Sequence, residues 1–372
     1  MNTMRPIATI ELHPALCGEV ERPFVQAGSL RASLFRYPSG IEALRLRNAR
    51  GELVVLPWFG QMIWSARFDG VDLAMESAFD MPRPAATIAE TYGCFAFHSG
   101  LLRNGVPSPE DDHPAHGEFP CAPMRRAWLE LGEDTEGAVL RVVSECEYVM
   151  GFGAHYRAHP SVTLREADTL FDIALAVENL SGRPMDLMYM CHVNFAFAAG
   201  GRLVQPAPFL PERTAVRRAV PAHVQPTPGY LAFIEALARD PARMERLDEP
   251  DLYDPEQVFY LHGLGTDAEG LTSLMLRRRE GDAFAMTYAP GIFPHTVRWV
   301  LHDPDQKVAA FALPSTCEPE GYLAEKRKGH VRVLPPRGRA EFALRTGYLD
   351  AAGAARMGER IATLRSAGEG AA

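Results

Sequence analysis

A hydrophobic period of two residues recurs along this chain and limits its possible folds more than any other feature. In residues 169–179, apolar residues alternate with small or polar ones: Phe171, Ile173, Leu175 and Val177. Successive side chains of a strand point to opposite faces, so these four share one buried face. A helix would instead bring apolar side chains together every three or four residues. The pattern predicts β-sheet.

Short segments of the same kind, separated by turns rich in Gly, Pro, Asn and Asp, follow one another along the chain. They are residues 42–47, 53–58, 185–197, 271–278, 283–288, 296–302, 307–313, 331–334 and 340–347. Many short strands at this spacing favour an all-β sandwich or barrel of mainly antiparallel strands, with a few short helices.

Helical signals are confined to residues 229–247, where Pro241 is expected to break the helix, and residues 351–365. Residues 206–228 are rich in Pro and Arg and are expected to form a surface excursion. Because no change in composition divides the chain, residues 1–350 are expected to form one domain, and 351–372 a C-terminal helix and tail.

Charge and composition exclude several classes of function. The chain has 38 Lys and Arg against 47 Asp and Glu, a net charge of −9, which argues against nucleic-acid binding. No apolar run is long enough to span a membrane, and the N-terminal segment does not resemble a signal peptide. Six scattered cysteines without a CxxC pair favour reduced thiols. We therefore expect a cytoplasmic protein with neither nucleic-acid nor membrane partners.

Polar side chains that a plain β-sandwich does not need concentrate in a loop region over residues 97–118. They are His98, Arg103, Asn104, His113, His116 and Glu118. Loops on a rigid scaffold commonly carry binding residues, and Gly117 after His116 permits close approach of a ligand. Turn-capping histidines in a solvated loop are the alternative.

Two further candidates lie in or beside apolar strands. His192 is a histidine inside an apolar strand, where its ring nitrogens must be satisfied, either by core hydrogen bonds or by a function. Cys191 should point to the opposite face, which disfavours a Cys–His nucleophile pair. Glu318 follows a buried strand and is a candidate general base or a solvated strand-end residue, and Glu320 is expected to be solvated.

A metal site is an alternative for the first loop region. His113, His116 and Glu118 supply three potential ligands in one short stretch, and His192 is a possible fourth. This set would suit a metal-dependent sugar isomerase of the cupin type. Pro114 restricts its geometry, and the preferred prediction has no metal and no cofactor.

Taken in order, three segments resemble the galactose mutarotase (aldose 1-epimerase) superfamily. The His116–Gly117 pair is similar to the loop histidine of that family, residues 191–197 (CHVNFAF) to its His-x-Tyr-Phe-Asn-Leu strand, and residues 317–322 (CEPEGY) to its Glu-Pro-Gln segment. Residues 100–102 (GLL), 255–259 (PEQVF) and 267–270 (DAEG) extend the resemblance to a poorly characterised branch of aldose 1-epimerase-like proteins. The resemblance covers roughly residues 34–349.

The resemblance implies a galactose mutarotase-like β-supersandwich with a sugar cleft across one sheet. It assigns the general acid to His192 and the general base to Glu318. Substrate binding is expected of His116, with Arg103 and Asn104 replacing the Asn-Arg dipeptide of the family. The acidic sugar ligand of the family has no clean counterpart. Its place could be taken by Asp251, Asp254 or Glu256, of which Glu256 is preferred.

These roles predict the interconversion of sugar anomers by acid–base ring opening, with a small sugar as the only partner. Four aromatic residues are candidates for stacking on the sugar, with Trp299 preferred: Trp64, Phe97, Tyr260 and Trp299. Four basic residues could bind an anionic sugar: Arg103, Arg298, Lys326 and Arg327. A carbohydrate-binding or sensing domain without turnover is the non-enzymatic alternative.

Overall fold

Strands account for most of the regular structure. The computed structural model describes residues 4–220 and 224–369; residues 1–3 and 370–372 of the predicted domain and tail, and 221–223 of the predicted surface excursion, lie outside them. The strands are β1 (Arg5–Leu12), β2 (Arg22–Ala27), β3 (Leu30–Arg36), β4 (Glu42–Arg47), β5 (Gly51–Val55), β6 (Ile63–Phe68), β7 (Val71–Asp72), β8 (Ala96–Leu101), β9 (Arg126–Asp134), β10 (Gly137–Val149), β11 (His155–Arg165), β12 (Leu170–Asn179), β13 (Met185–Val193), β14 (Arg202–Val204), β15 (Thr214–Val216), β16 (Gln257–Leu261), β17 (Thr272–Arg277), β18 (Ala283–Tyr288), β19 (His295–His302), β20 (Lys307–Ser315), β21 (Arg332–Leu334) and β22 (Arg339–Leu349). The α-helices of the described residues are α1 (Pro228–Arg239), α2 (Tyr322–Lys328) and α3 (Ala351–Glu369).

The described strands form two antiparallel sheets. The first sheet has the order β1-β9-β10-β11-β12-β22-β18-β17-β14. The second has the order β15-β16-β19-β20-β13-β8-β6-β5-β4-β3-β2, with β7 beside β6 and β21 beside β13. This architecture confirms the predicted all-β fold of antiparallel strands with few helices.

The main hydrophobic core lies between the two sheets. The alternating residues of β12 that predicted a strand, Phe171, Ile173, Leu175 and Val177, are all at most 3% exposed and belong to this core. In β13, Cys191 joins the same core, whereas its neighbour His192 lies on the other face of the second sheet. The alternation therefore separates the strand histidine from the cysteine, as predicted.

The helical predictions also correspond to elements of the structure. Thr227 caps α1 by accepting a hydrogen bond from the Tyr230 amide at 3.1 Å, and Pro241 follows the helix and starts a short 3-10 turn. In α3, Ala354 and Ile361 pack against the first sheet. Residues 206–228 are not only a surface excursion, because they contribute β15 to the edge of the second sheet.

The described helices are short or polar. Within residues 4–220 and 224–369, none has both the length and the hydrophobicity required to cross a lipid bilayer. All six cysteines are buried and free. The fold of these residues is therefore held together by its packed core rather than by disulfides.

Candidate active site

A cleft of about 770 Å³ opens on the face of the second sheet that points away from the first. Its floor is formed by apolar and aromatic side chains of neighbouring strands: Met190, Val258, Val297, Trp299, Leu301 and Leu313. Loop residues from several parts of the chain form the walls, including Tyr92, His116, Glu256 and Pro319. An apolar cleft with a few convergent polar groups is the usual form of a small-molecule site.

His192 projects from β13 into this cleft with a fixed tautomer. Its Nδ1 lies 2.8 Å from Oδ1 of Asn194, and the Asn194 amide nitrogen donates to the Cys94 carbonyl at 3.0 Å. Because the amide nitrogen is committed to a carbonyl, Asn194 presents its oxygen to His192, so Nδ1 must carry the proton. Nε2 is therefore left with a lone pair.

The same environment keeps the His192 ring neutral. Burial and the adjacent His116 hold the pKa of His192 well below its usual range, although the hydrogen bond to Asn194 acts in the opposite direction. The ring of Phe97 stacks on His192 at a centroid distance of 4.6 Å. A lowered pKa favours His192 as a proton acceptor at rest, whereas the resemblance implies a protonated acid.

Tyr92 supplies a proton donor next to His192. Its hydroxyl lies 3.3 Å from His192 Nε2 and must donate there, since that nitrogen carries no proton. Burial raises the pKa of Tyr92 well above its usual value, so the hydroxyl is protonated before any reaction begins. Tyr92 follows a 3-10 turn whose start is fixed by Glu90, which accepts hydrogen bonds from the Ala86 and Thr87 amides.

His116 faces the cleft beside His192, and the two ring centroids are 5.0 Å apart. Ser99 Oγ donates to Asn104 Oδ1, so it accepts from His116 Nδ1, 3.1 Å away. The second histidine thus also has an unprotonated Nε2. Burial lowers the pKa of His116 to about 4, even though the Glu256 carboxylate opposes the shift.

The backbone around His116 explains how a loop residue reaches the sheet. His116 and Gly117 both have positive φ, 64° and 79°. A Cβ on Gly117 would lie 2.0 Å from the carbonyl oxygen of Arg103, so only glycine fits there. The His116 amide donates to the Gly105 carbonyl at 2.8 Å, which pins the loop over β8.

Glu256 and Trp299 form a further polar pair in the cleft. Trp299 Nε1 donates to Glu256 Oε2 at 2.5 Å, and Tyr230 donates to the Glu256 backbone carbonyl at 3.1 Å. Of the three acidic candidates, Asp254 and Glu256 line the cleft, and Asp251 is exposed outside its lining. Trp299 is the stacking candidate that lies in the cleft. Trp64 and Phe97 pack in a separate core cluster, and Tyr260 donates to Glu320.

Glu318 does not line the cleft with His192, contrary to the expected catalytic pair. Its carboxylate accepts from Lys328 Nζ at 2.5 Å and lies near His295 and His330, whereas the next residue, Pro319, forms part of the cleft wall. A general base must reach the proton that it removes. This position therefore gives no support to Glu318 as the partner of His192.

Glu320 is also placed differently from the sequence-based expectation of a solvated side chain. It accepts hydrogen bonds from Arg217 Nη2 at 2.8 Å and from the Tyr260 hydroxyl. Arg217 follows β15 and lines the cleft, so Glu320 neutralises a cation at its wall. Sequence reasoning missed this group because its members are distant along the chain.

Arg103 and Asn104, predicted to bind substrate, lie outside the cleft lining. The Arg103 guanidinium carbon lies 3.7 Å from the centroid of the Tyr322 ring, so this side chain packs against α2. Asn104 is fully buried and, besides Ser99, its side chain contacts the Gly105 amide and the Cys317 sulfur. Asn104 therefore positions Ser99 and, through it, His116.

The cupin-type metal set is not assembled either. Glu118 accepts from the amides of Leu101 and Leu102 and from Tyr156, which ties it into the loop. His113 lies against Asp111 and the Tyr322 amide. Both side chains are committed to structural contacts, and His116 alone of the three lines the cleft.

The remaining basic candidates for an anionic sugar also lie elsewhere. Arg298 is fully buried and donates to the Phe311 carbonyl and to Gln205. Lys326 pairs with Asp186, and Arg327 is exposed on α2.

Tyr92 and Asn194, like Arg217, are site residues that the sequence analysis did not identify. Asn194 had a usable signal, because residues two apart on a strand share a face and Asn194 follows His192 at that interval. Tyr92 had none, because it reaches His192 only through a loop contact across 100 residues of sequence.

Comparison with known structures supports the fold. A candidate aldose 1-epimerase from Klebsiella pneumoniae subsp. pneumoniae MGH 78578 superposes with a TM-score of 0.76 at 15% identity, covering 96% of each chain. A galactose mutarotase-like protein from Clostridium acetobutylicum gives a TM-score of 0.58 at 12% identity, covering 87% of this chain and all of the other. A candidate aldose 1-epimerase from Escherichia coli K12 gives 0.53 at 14% identity, with 82% and 97% covered.

These similarities identify the fold as galactose mutarotase-like, and identities of 15% or less say nothing further about activity. No curated protein is significantly similar in sequence to this chain. Residues 38–347 match the family described as "Domain of unknown function (DUF4432)". That match covers most of the chain, which therefore belongs to the DUF4432 family, a poorly characterised branch with the galactose mutarotase-like fold.

Proposed function

We propose that the protein is an isomerase that interconverts the α and β anomers of a neutral free aldose. The observation that carries this proposal is the unprotonated Nε2 of His192, fixed by Asn194 and facing the cleft beside the Tyr92 hydroxyl. Anomerisation needs a base for the anomeric hydroxyl and a proton donor for the ring oxygen. These two side chains supply both.

The proposed reaction begins when the anomeric hydroxyl replaces Tyr92 as the hydrogen-bond donor to His192 Nε2. His192 takes the anomeric proton, Tyr92 gives its proton to the ring oxygen, and the C1–O5 bond breaks to give the open-chain aldehyde. Rotation about C1–C2 presents the other carbonyl face, and the reverse steps close the ring. Ring closure restores both residues: the His192 imidazolium returns a proton to the carbonyl oxygen, and the Tyr92 tyrosinate takes one back from O5. After the product leaves, Tyr92 can again donate to His192 Nε2, 3.3 Å away.

The charges of the cleft favour a neutral sugar over an anionic one. Among the described residues that line it, the carboxylates of Asp254, Glu256 and Asp303 outnumber the one guanidinium, Arg217, which is already paired with Glu320. The Nε2 atoms of His116 and His192 add further acceptors. Sugar hydroxyls are hydrogen-bond donors, so this arrangement suits a polyol.

Exchange NMR spectroscopy over a panel of neutral aldoses, uronates and sugar phosphates tests the proposal. We expect accelerated anomer exchange for a neutral aldose, with His192→Gln and Tyr92→Phe each slower by about 10²-fold or more, the usual contribution of a positioned acid or base. His155→Gln, which removes a partly exposed histidine from the first sheet, is the control with unchanged rate.

Two results would contradict the proposal. Full activity of His192→Gln would mean that the chemistry lies elsewhere. Sugar binding without acceleration for any member of the panel would identify a carbohydrate-binding protein without turnover.

A further inference from the structure

A second group of potential ligand side chains lies outside the cleft lining, where α2 returns to the second sheet. It consists of His295 at the start of β19, Glu318 in the loop after β20 and His330 after α2. One ligand atom of each residue lies within 4.8 Å of the other two. The two imidazole rings have centroids 4.2 Å apart, a distance at which two protonated rings would repel each other.

His330 is fixed in position by two contacts with Glu325. Gly329 ends α2 with a left-handed φ of 76°, which turns the chain back so that the His330 amide donates to the Glu325 carbonyl at 3.0 Å. His330 Nδ1 lies 2.7 Å from the carboxylate of Glu325, whose side chain is fully buried. A carboxylate on one ring nitrogen fixes the tautomer and leaves the other nitrogen available for a metal.

Glu318 is held by the same buried carboxylate. Its amide donates to Glu325 Oε2 at 2.8 Å, and its own carboxylate accepts from the Lys328 ammonium at 2.5 Å. Lys328 also donates to Glu325 Oε1 at 2.8 Å. If Glu318 turned towards a metal ion, Lys328 would therefore keep its ion pair with Glu325. The metal ion would then take the place of the Lys328 ammonium beside the Glu318 carboxylate.

We propose that His295, Glu318 and His330 form a binding site for a divalent transition-metal ion, for which Zn²⁺ is the probe. Two imidazoles and one carboxylate are a ligand set that such ions favour, and three protein ligands leave a fourth position for water. All three side chains are partly exposed, so an ion can reach them from solvent. Small rotations of the side chains must bring the ligand atoms closer together.

A bound metal would stabilise one wall of the cleft. It would join β19, the loop after β20 and α2, and that loop carries Pro319 in the cleft wall and Glu320 on Arg217. The site does not depend on the proposed anomerisation, because its ligands take no part in that reaction.

Titration of the full chain, free of affinity tags and treated with chelator, tests the site. Calorimetry with Zn²⁺ and visible absorption with Co²⁺ should show one ion per chain. His330→Gln, His295→Gln and Glu318→Gln should each weaken binding at least tenfold, whereas His155→Gln should bind as the wild type does. Lys328→Met should bind more tightly, because it removes the competing cation from Glu318.

The Lys328 variant keeps the proposal testable even if a ligand variant is unstable, since it leaves all three ligands in place. No stoichiometric binding by the wild type would overturn the proposal. Unchanged affinity in the two histidine variants, or weaker binding by Lys328→Met, would do the same.

Discussion

Acidification should destabilise this protein over a range of pH set by its buried histidines. Burial lowers the pKa of His98 to about 3 and of His116 to about 4, and the pKa of His192 lies well below its usual range. In the unfolded chain a histidine has a pKa of about 6.5. The unfolded state therefore binds more protons than the folded state below this value, so stability is full above pH 6.5 and is lost as the pH falls.

The size of the effect follows from the shifts. A pKa shift of one unit corresponds to about 1.4 kcal/mol, so each histidine that stays neutral in the folded state lowers the free energy of unfolding by about 2 kcal/mol between pH 7.5 and pH 5.0. The three histidines named above give about 6 kcal/mol, which is comparable to the whole stability of many domains. His295 adds to the same loss, because burial and the nearby His330 lower its pKa to about 4. Carboxylates with lowered pKa lose their contribution mainly below pH 4.5, outside this window.

Urea unfolding followed by tryptophan fluorescence at pH 5.0, 6.0 and 7.5 measures this effect. His116→Gln should lose about 2 kcal/mol less than the wild type over the same range, because it removes one of these histidines. A free energy of unfolding that does not change from pH 7.5 to 5.0 would refute the reasoning, as would a His116→Gln variant with the wild-type pH dependence.

Three substitutions test the positioning of the site. Asn194→Leu leaves two buried partners unpaired, the His192 ring and a backbone carbonyl. Calorimetry should therefore show a free energy of unfolding lower by about 2–6 kcal/mol, and the anomer exchange rate should fall about tenfold or more. A stable, fully active variant would count against the tautomer assignment. Gly117→Ala places a side chain at a position with positive φ, where it also clashes with backbone atoms. Urea unfolding should therefore show a free energy of unfolding lower by at least about 1–3 kcal/mol. An unchanged urea midpoint would contradict this geometry. Trp299→Phe removes the donor to Glu256 and should weaken sugar binding about tenfold in NMR titrations, whereas an unchanged Kd would exclude this pair from recognition.

The sequence predicted strands, and the face on which a side chain lies, wherever apolar residues alternated within a single strand. Alternation identified β12 and β13, and it placed His192 and Cys191 on opposite faces because neighbouring side chains of a strand point in opposite directions. The strand-to-strand order in the sheets was not predictable, since pairing depends on contacts between residues far apart in the chain.

The site was harder to predict because loops assemble it. His116, Glu256 and Trp299, which the sequence analysis selected as binding residues, lie in the cleft. Glu318 was assigned by resemblance to a short motif, and the contacts that hold it outside the cleft lining come from Glu325 and Lys328. Such contacts depend on where α2 folds back, which leaves no periodic signal in the sequence.

The pH dependence of anomer exchange tests most directly whether His192 starts the reaction as a base. The measurement compares the enzyme-catalysed rate, corrected for the rate in buffer, at pH 6.5 and 8.0. A neutral His192 predicts rates that agree within about twofold, because the ring is unprotonated at both values. A fall of more than about tenfold at pH 8.0, the behaviour of an imidazolium acid with an ordinary pKa, would contradict the account.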